Sequence, residues 1–269
     1  MKCPFLLLVV AAACVPALAL ERAAADYWKD GVVRQDTVDM KDYSKGVIRA
    51  RVENKWREFR TRKLPARFLD WNFAGRLEYI ALLRKPGARP PLAGPHSGMV
   101  ASHGLRRDGS QFTINNAVKG IGFVPVREKL PEMLKLLRDT RGEPMPRKLD
   151  ILEDLYTKRR ADFDAAKLIS LELYSSPSFA THTFLNEMSD PGVSIVFLDI
   201  PSFEVRAVAR LLDPRDGKLS EYDRQTAEWC NAIHDYFHGG GDKKYIAAVY
   251  HVIEVFDNTP GKKGLEAER

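Results

Sequence analysis

Apolar positions change their spacing along the chain, and the changes mark its elements. Residues 130–164 repeat at helical period: Leu130, Met133, Leu134, Leu136 and Leu137 make one stripe, Leu149, Leu152, Leu155 and Tyr156 another. Arg141-Gly142-Glu143-Pro144 separates the two helices this predicts. Upstream, residues 99–105 and 111–118 read as two strands joined at Arg107-Asp108-Gly109, an Asp-Gly hairpin signal. Downstream, short apolar runs alternate with turns. Residues 168–174 predict a strand, 175–183 a hydroxyl-rich turn, and 184–188 a short helix ended by Asp190-Pro191-Gly192. Strands over 193–199 and 203–211 follow, then a helix over 221–237 and a last strand over 244–256. Residues 193–198 are apolar on both faces, which places them centrally in a sheet. Ser220 caps the 221–237 helix with Asp223 at the reciprocal position, and Gly239-Gly240-Gly241 stops it.

The N-terminal part reads differently. Residues 20–94 are basic and read as helical, with a second helix over 74–83 and a break of prolines and glycines at 86–97. Between Val47 and Lys63 there are seven Arg or Lys against Glu53 and Glu58, with Trp56 and Phe59 interleaved. A solvated helix face packed through Val47, Val52, Trp56 and Phe59 explains this better than a nucleic-acid surface. Ahead of it, Met1-Lys2, an apolar run from Phe5 to Val15 and Ala17-Leu18-Ala19 read as a signal peptide over 1–19, which implies a periplasmic or secreted product. The net charge of +6 over 269 residues is mild and says little about an anionic partner. With Cys3 and Cys14 in the leader, Cys230 alone remains, so no internal disulfide is expected and the core alone must stabilise the fold.

The order of elements carries several short words: Arg107-Asp108-Gly109, Leu173-Tyr174-Ser175-Ser176, Thr183-Phe184-Leu185-Asn186, Asp190-Pro191-Gly192-Val193-Ser194-Ile195 and Glu204-Val205-Arg206. Together they resemble the FMN-binding split-barrel superfamily, typified by pyridoxamine 5′-phosphate oxidase-like proteins, over residues 97–128 and 166–258. The resemblance implies an α+β fold: an antiparallel split β-barrel of about six strands over 95–260, with a helical N-terminal extension (20–94), a two-helix insertion (130–164) and a mobile tail (261–269). It also implies a homodimer with flavin (FMN) at the subunit interface and an oxidoreductase of unidentified substrate, which the leader would make an exported one. The FMN phosphate would lie against Ser175, Ser176, Ser178, Thr181, His182 and Thr183, with Arg206 as charge partner. Hydroxyls at a helix N-terminus suit an anion, but they cap helices as readily. The family carries Lys or Arg three residues before the Asn, where this chain has Thr183, so a charge-assisted bond is missing.

Other readings stay open. One is a non-catalytic binding or structural split barrel that has lost the cofactor. Another is a haem-binding variant using His96, His103, His182 or His251; without a C-x-x-C-H word, that haem would be non-covalent. The third is a metal-dependent hydrolase built on His234 and His238, which stand at i and i+4 on one helix face. Asp235 replaces the Glu of the zinc-protease word there, and a helix end meeting its dipole explains the pair as well. No catalytic acid, base or nucleophile can be named.

Overall fold

The computed structural model describes residues 27–89, 91–105, 110–239 and 243–261, together with a short strand at Leu265–Glu266. The leader at 1–19, the turn at 107–109, Gly240 and Gly241 lie outside the described residues. Among those described, no helix is long and apolar enough to cross a membrane.

The chain is α+β. It begins with a two-stranded ribbon, β1 (Trp28–Lys29) and β2 (Val32–Val33), then a three-stranded sheet of β3 (Val38–Asp39), β4 (Val47–Val52) and β5 (Lys55–Arg60). Helix α1 (Ala66–Leu83) leads to β6 (Ser97–His103), β7 (Ile114–Gly120) and β8 (Gly122–Pro125). Helices α2 (Leu130–Asp139) and α3 (Met145–Lys158) precede β9 (Phe163–Glu172), and α4 (His182–Ser189) precedes β10 (Gly192–Phe197). Then come β11 (Phe203–Leu212), α5 (Glu221–His238), β12 (Ile246–Asp257) and β13 (Leu265–Glu266). The large sheet runs β7-β6-β10-β11-β12-β9-β8, antiparallel throughout, with β13 beside β12. It curls into a half-barrel. The two helices expected as an insertion do stand between strands β8 and β9.

The inner face of the sheet holds the main core. Val100, Ile195, Val205, Ala209, Leu168, Tyr250 and Val252 meet Phe68, Phe73, Phe184 and the buried stripes of α2 and α3. Phe68 sits in an aromatic group with Trp71, Phe197 and Phe203, centroids 5.2–5.5 Å from it. Arg76 of α1 is buried and fully used. It donates to Asn72 Oδ1 (2.7 Å) and to the carbonyls of Ile121 (2.6 Å) and Pro95 (3.2 Å). A buried cation without such partners would cost several kcal/mol.

The outer face is covered in two places. Ile169, Leu171, Leu212, Ala247 and Val249 pack under Ala227 and Cys230 of α5. Val208 packs under Ile48 and Ala50 of β4. Cys230 is therefore a buried packing residue, and burial pushes its thiol pKa up.

The structure corrects the reading of the N-terminal region. The basic stretch at 47–63 is no helix face but the β4–β5 hairpin. Glu53 and Asn54 turn it with φ of 51° and 60°, the pair of positive φ values of a tight two-residue hairpin. In β4 the buried residues, Ile48 and Ala50, alternate with exposed Arg49 and half-buried Arg51, and the charges of β5 stand largely in solvent. Helix α1 starts at Ala66, eight residues before the expected helix start. Strand β10 alternates in burial and is apolar-buried on its inner side only.

Candidate functional site

The expected site sits where β9 ends and α4 begins. Ser176 and Phe179 exchange backbone hydrogen bonds (2.6 and 3.2 Å), which folds the turn back on itself. Ser175 Oγ accepts from the Thr181 amide (3.1 Å) and donates to Glu172 Oε1 (3.2 Å). Ser176 and Ser178 share a hydrogen bond at 3.2 Å. Thr181 is the N-cap of α4, accepting from the Phe184 amide (3.1 Å). Thr183 is buried and accepts from Asn115 Nδ2 (2.8 Å) on β7, while exposed His182 opens the helix. The turn thus brings six of the seven predicted residues together. Arg206 is elsewhere. It pairs across the sheet with Ser194, whereas Ala207, on the opposite face, is in the row with Val193 and Ser102, the face α4 covers. Arg206 bonds Glu204 (2.9 Å) and Glu254 (3.3 Å) and lies over the Phe256 ring.

Behind the turn lies a buried polar group no sequence pattern announced. Lys119 Nζ is 2.8 Å from Glu172 Oε2, both largely buried. Glu187 of α4 is fully buried, accepts from Tyr250 Oη (3.2 Å), and leaves Oε2 without a partner. Burial drives the Glu187 pKa up to about 7; Lys119 opposes this and Glu172 adds to it. Tyr250 is raised too, by burial first and then by Glu187.

These residues do not fit a flavin phosphate. The hydroxyls are consumed in capping and closing the turn, a carboxylate touches Ser175, and Lys119 already neutralises that carboxylate. A dianion placed here would meet Glu172 before it met a cation.

The outer face carries a second polar place, between the turn at residues 40–43 and the start of α5. It is a cavity of about 190 Å³. Lys167 (β9), Arg210 (β11) and His251 (β12) rise from the sheet floor, Tyr222 and Asp223 from the first turn of α5, Tyr43 from the 3₁₀ turn before β4, and Arg127 from the rim before α2. The signal for it was a titratable side chain set among apolar residues in each of two buried strands, Lys167 in β9 and His251 in β12.

His96 lies near His234 and His238: burial lowers its pKa first, then Arg76 and these two rings; the other histidines are dispersed. His96 precedes β6, His103 ends it 3.8 Å from Asp190, His182 begins α4 and His251 is on the outer face. His234 and His238 pack ring to ring at 4.7 Å. Among the described residues, no group of three or more His, Cys, Asp or Glu could hold a metal ion.

No family model matches the chain, and no curated protein matches it. Among solved structures, a Listeria innocua protein named "Putative Pyridoxamine 5'-phosphate oxidase" is similar over 61% of this chain and 88% of that one, at 10% identity and a TM-score of 0.31. At that score the likeness carries no functional weight.

Proposed function

We propose that this chain is an exported, non-catalytic binding protein built on a half-barrel frame that has not kept a flavin phosphate seat. The observation that carries this is the bond from Ser175 to the buried Glu172 carboxylate, itself neutralised by Lys119. Hydroxyls already bonded within the turn and to β9 and β7 support a helix cap, and Thr183 in the cationic slot of the resemblance is tied to Asn115. Export follows from the leader reading at 1–19. The test is the absorbance of the protein purified without added cofactor. We expect no visible flavin bands and no change on adding FMN; a yellow preparation holding stoichiometric FMN would return the chain to flavin-dependent oxidoreduction.

The homodimer belongs to the same proposal. Edge strand β7 leaves Ile114 and Val118 exposed at 68% and 69%, and Phe112 beside them at 69%. Ile114 and Val118 share the outer face of β7 with exposed Asn116, and large exposed apolar side chains at a sheet edge are of the kind that mark an interaction surface.

A further inference from the structure

The outer-face cavity is lined by more cation than its carboxylates balance. Arg210 forms a two-bonded pair with Asp223 (2.6 and 2.7 Å), and Lys167 is 2.7 Å from Asp164. Arg127 has no ion pair among the described residues; its guanidinium lies 4.0 Å over the Tyr222 ring. Lys167, 4% exposed, donates to Tyr222 Oη (2.9 Å) and faces the Tyr43 ring at 4.9 Å. Burial works against its charge, yet Tyr222, Tyr43 and Asp164 outweigh that and raise its pKa, so the ammonium persists. Three cations therefore face two carboxylates.

His251 is the unexplained member. It is 2% exposed, lines the cavity, and has neither ring nitrogen hydrogen-bonded. A buried polar group without a partner costs about 1–3 kcal/mol, and structures rarely leave two such atoms on one ring. Burial, then Lys167 and Arg210, hold its pKa well below the ordinary value, so the ring is neutral, with one donor and one acceptor. The first turn of α5 adds the positive end of an 18-residue helix on the same side.

We propose that this cavity binds a small tetrahedral oxyanion, phosphate or a short phosphate monoester, held by Arg127 and Lys167 and hydrogen-bonded by His251. A neutral imidazole suits a partly protonated oxyanion, because it donates to one oxygen and accepts from the hydroxyl of another. The size agrees: about 190 Å³ is below the roughly 300–1,000 Å³ of drug-sized ligand pockets, so a flavin ring system is excluded. The inference goes beyond the binding-protein reading and does not rest on the turn; flavin bands would overturn that reading and leave this site standing.

The test uses the full mature chain and inorganic phosphate, titrated by calorimetry at constant ionic strength, with sulfate and acetate as comparison anions. We expect saturable phosphate binding with Kd near or below ~1 mM, weaker competition by sulfate, which has no hydroxyl for the imidazole to accept from, and none by acetate. Arg127→Ala, at an exposed rim position that packing does not need, should weaken binding at least tenfold. His251→Leu should weaken it by a similar factor. In nitrogen-15 histidine spectra, phosphate should shift the His251 ring signals in the native chain. Absence of saturation up to about 10 mM, equal binding of acetate, or unchanged affinity in Arg127→Ala would each overturn the proposal.

Discussion

Glu187 shows how one buried atom can set the response of the whole chain to pH. Its pKa stands near 7 in the folded protein, against about 4.3 in an unfolded chain. The folded state therefore holds the proton between those values while the unfolded state has lost it. Stability from this group is complete below about pH 4 and is lost as pH rises through 7, a change of about 4 kcal/mol. Glu187→Gln keeps an acceptor for Tyr250 and cannot ionise, so that share of the slope should vanish. Urea unfolding at pH 5 and pH 8 measures it; an unaltered difference between the two would rule Glu187 out as its source. Gly104 makes a second single-residue case. A Cβ there would stand 2.8 Å from the Cα of Asn186 and 2.4 Å from its Oδ1. Backbone cannot give way, so Gly104→Ala should cost about 1–3 kcal/mol, read from the denaturant midpoint.

Among the elements, the β4–β5 hairpin is where local reading and structure part. The density of Arg and Lys masks the two-residue alternation of Ile48 and Ala50. The Glu53-Asn54 turn was the available signal, since Asn tolerates positive φ better than most residues. Asn54→Val tests the assignment. A β-branched side chain at φ of 60° should destabilise by about 1–2 kcal/mol, whereas in a solvated helix face the change would be nearly neutral. Thermal melts of the two proteins separate these outcomes. Helix α5 keeps the Ser220 cap, whose Oγ accepts from the Asp223 amide at 3.2 Å, and Gly239 ends it at φ 69°, but the Asp223 carboxylate accepts from Ser220 Oγ and Arg210 in place of the reciprocal bond. The turn at 175–183 was equally legible as a hydroxyl cluster, but its partners were not, because Glu172, Lys119 and Asn115 reach it from β9 and β7.

For the whole molecule, coverage of the sheet decides what is available for binding. The inner face is filled by the core, the outer face of β9, β12 and β11 is covered by α5 and the N-terminal sheet, and Ile114 and Val118 on the outer face of edge strand β7 stand in solvent. If the β6–β7 face joins two copies, Val118→Asp should convert dimer to monomer in sedimentation velocity without lowering the melting temperature of the monomer. A native chain that sediments as a monomer at micromolar concentration would end the dimer reading. The cavity lies on this outer face, between the turn at residues 40–43 and the first turn of α5.

Local order was fixed by the sequence alone. Helical stripes in α2 and α3, the cap of α5, the strand succession from β9 to β12 and the hydroxyl turn all depend on neighbours within a few residues. The tertiary structure alone decided which side chains meet. Arg206 faces away from Thr183 because strand alternation and curl put the two on opposite faces. Arg127, Lys167, Arg210 and His251 converge from separate elements, and Glu187 finds Tyr250 across 63 residues. Register and curvature are global quantities, set by how all the strands pack together, so no local pattern could encode those encounters.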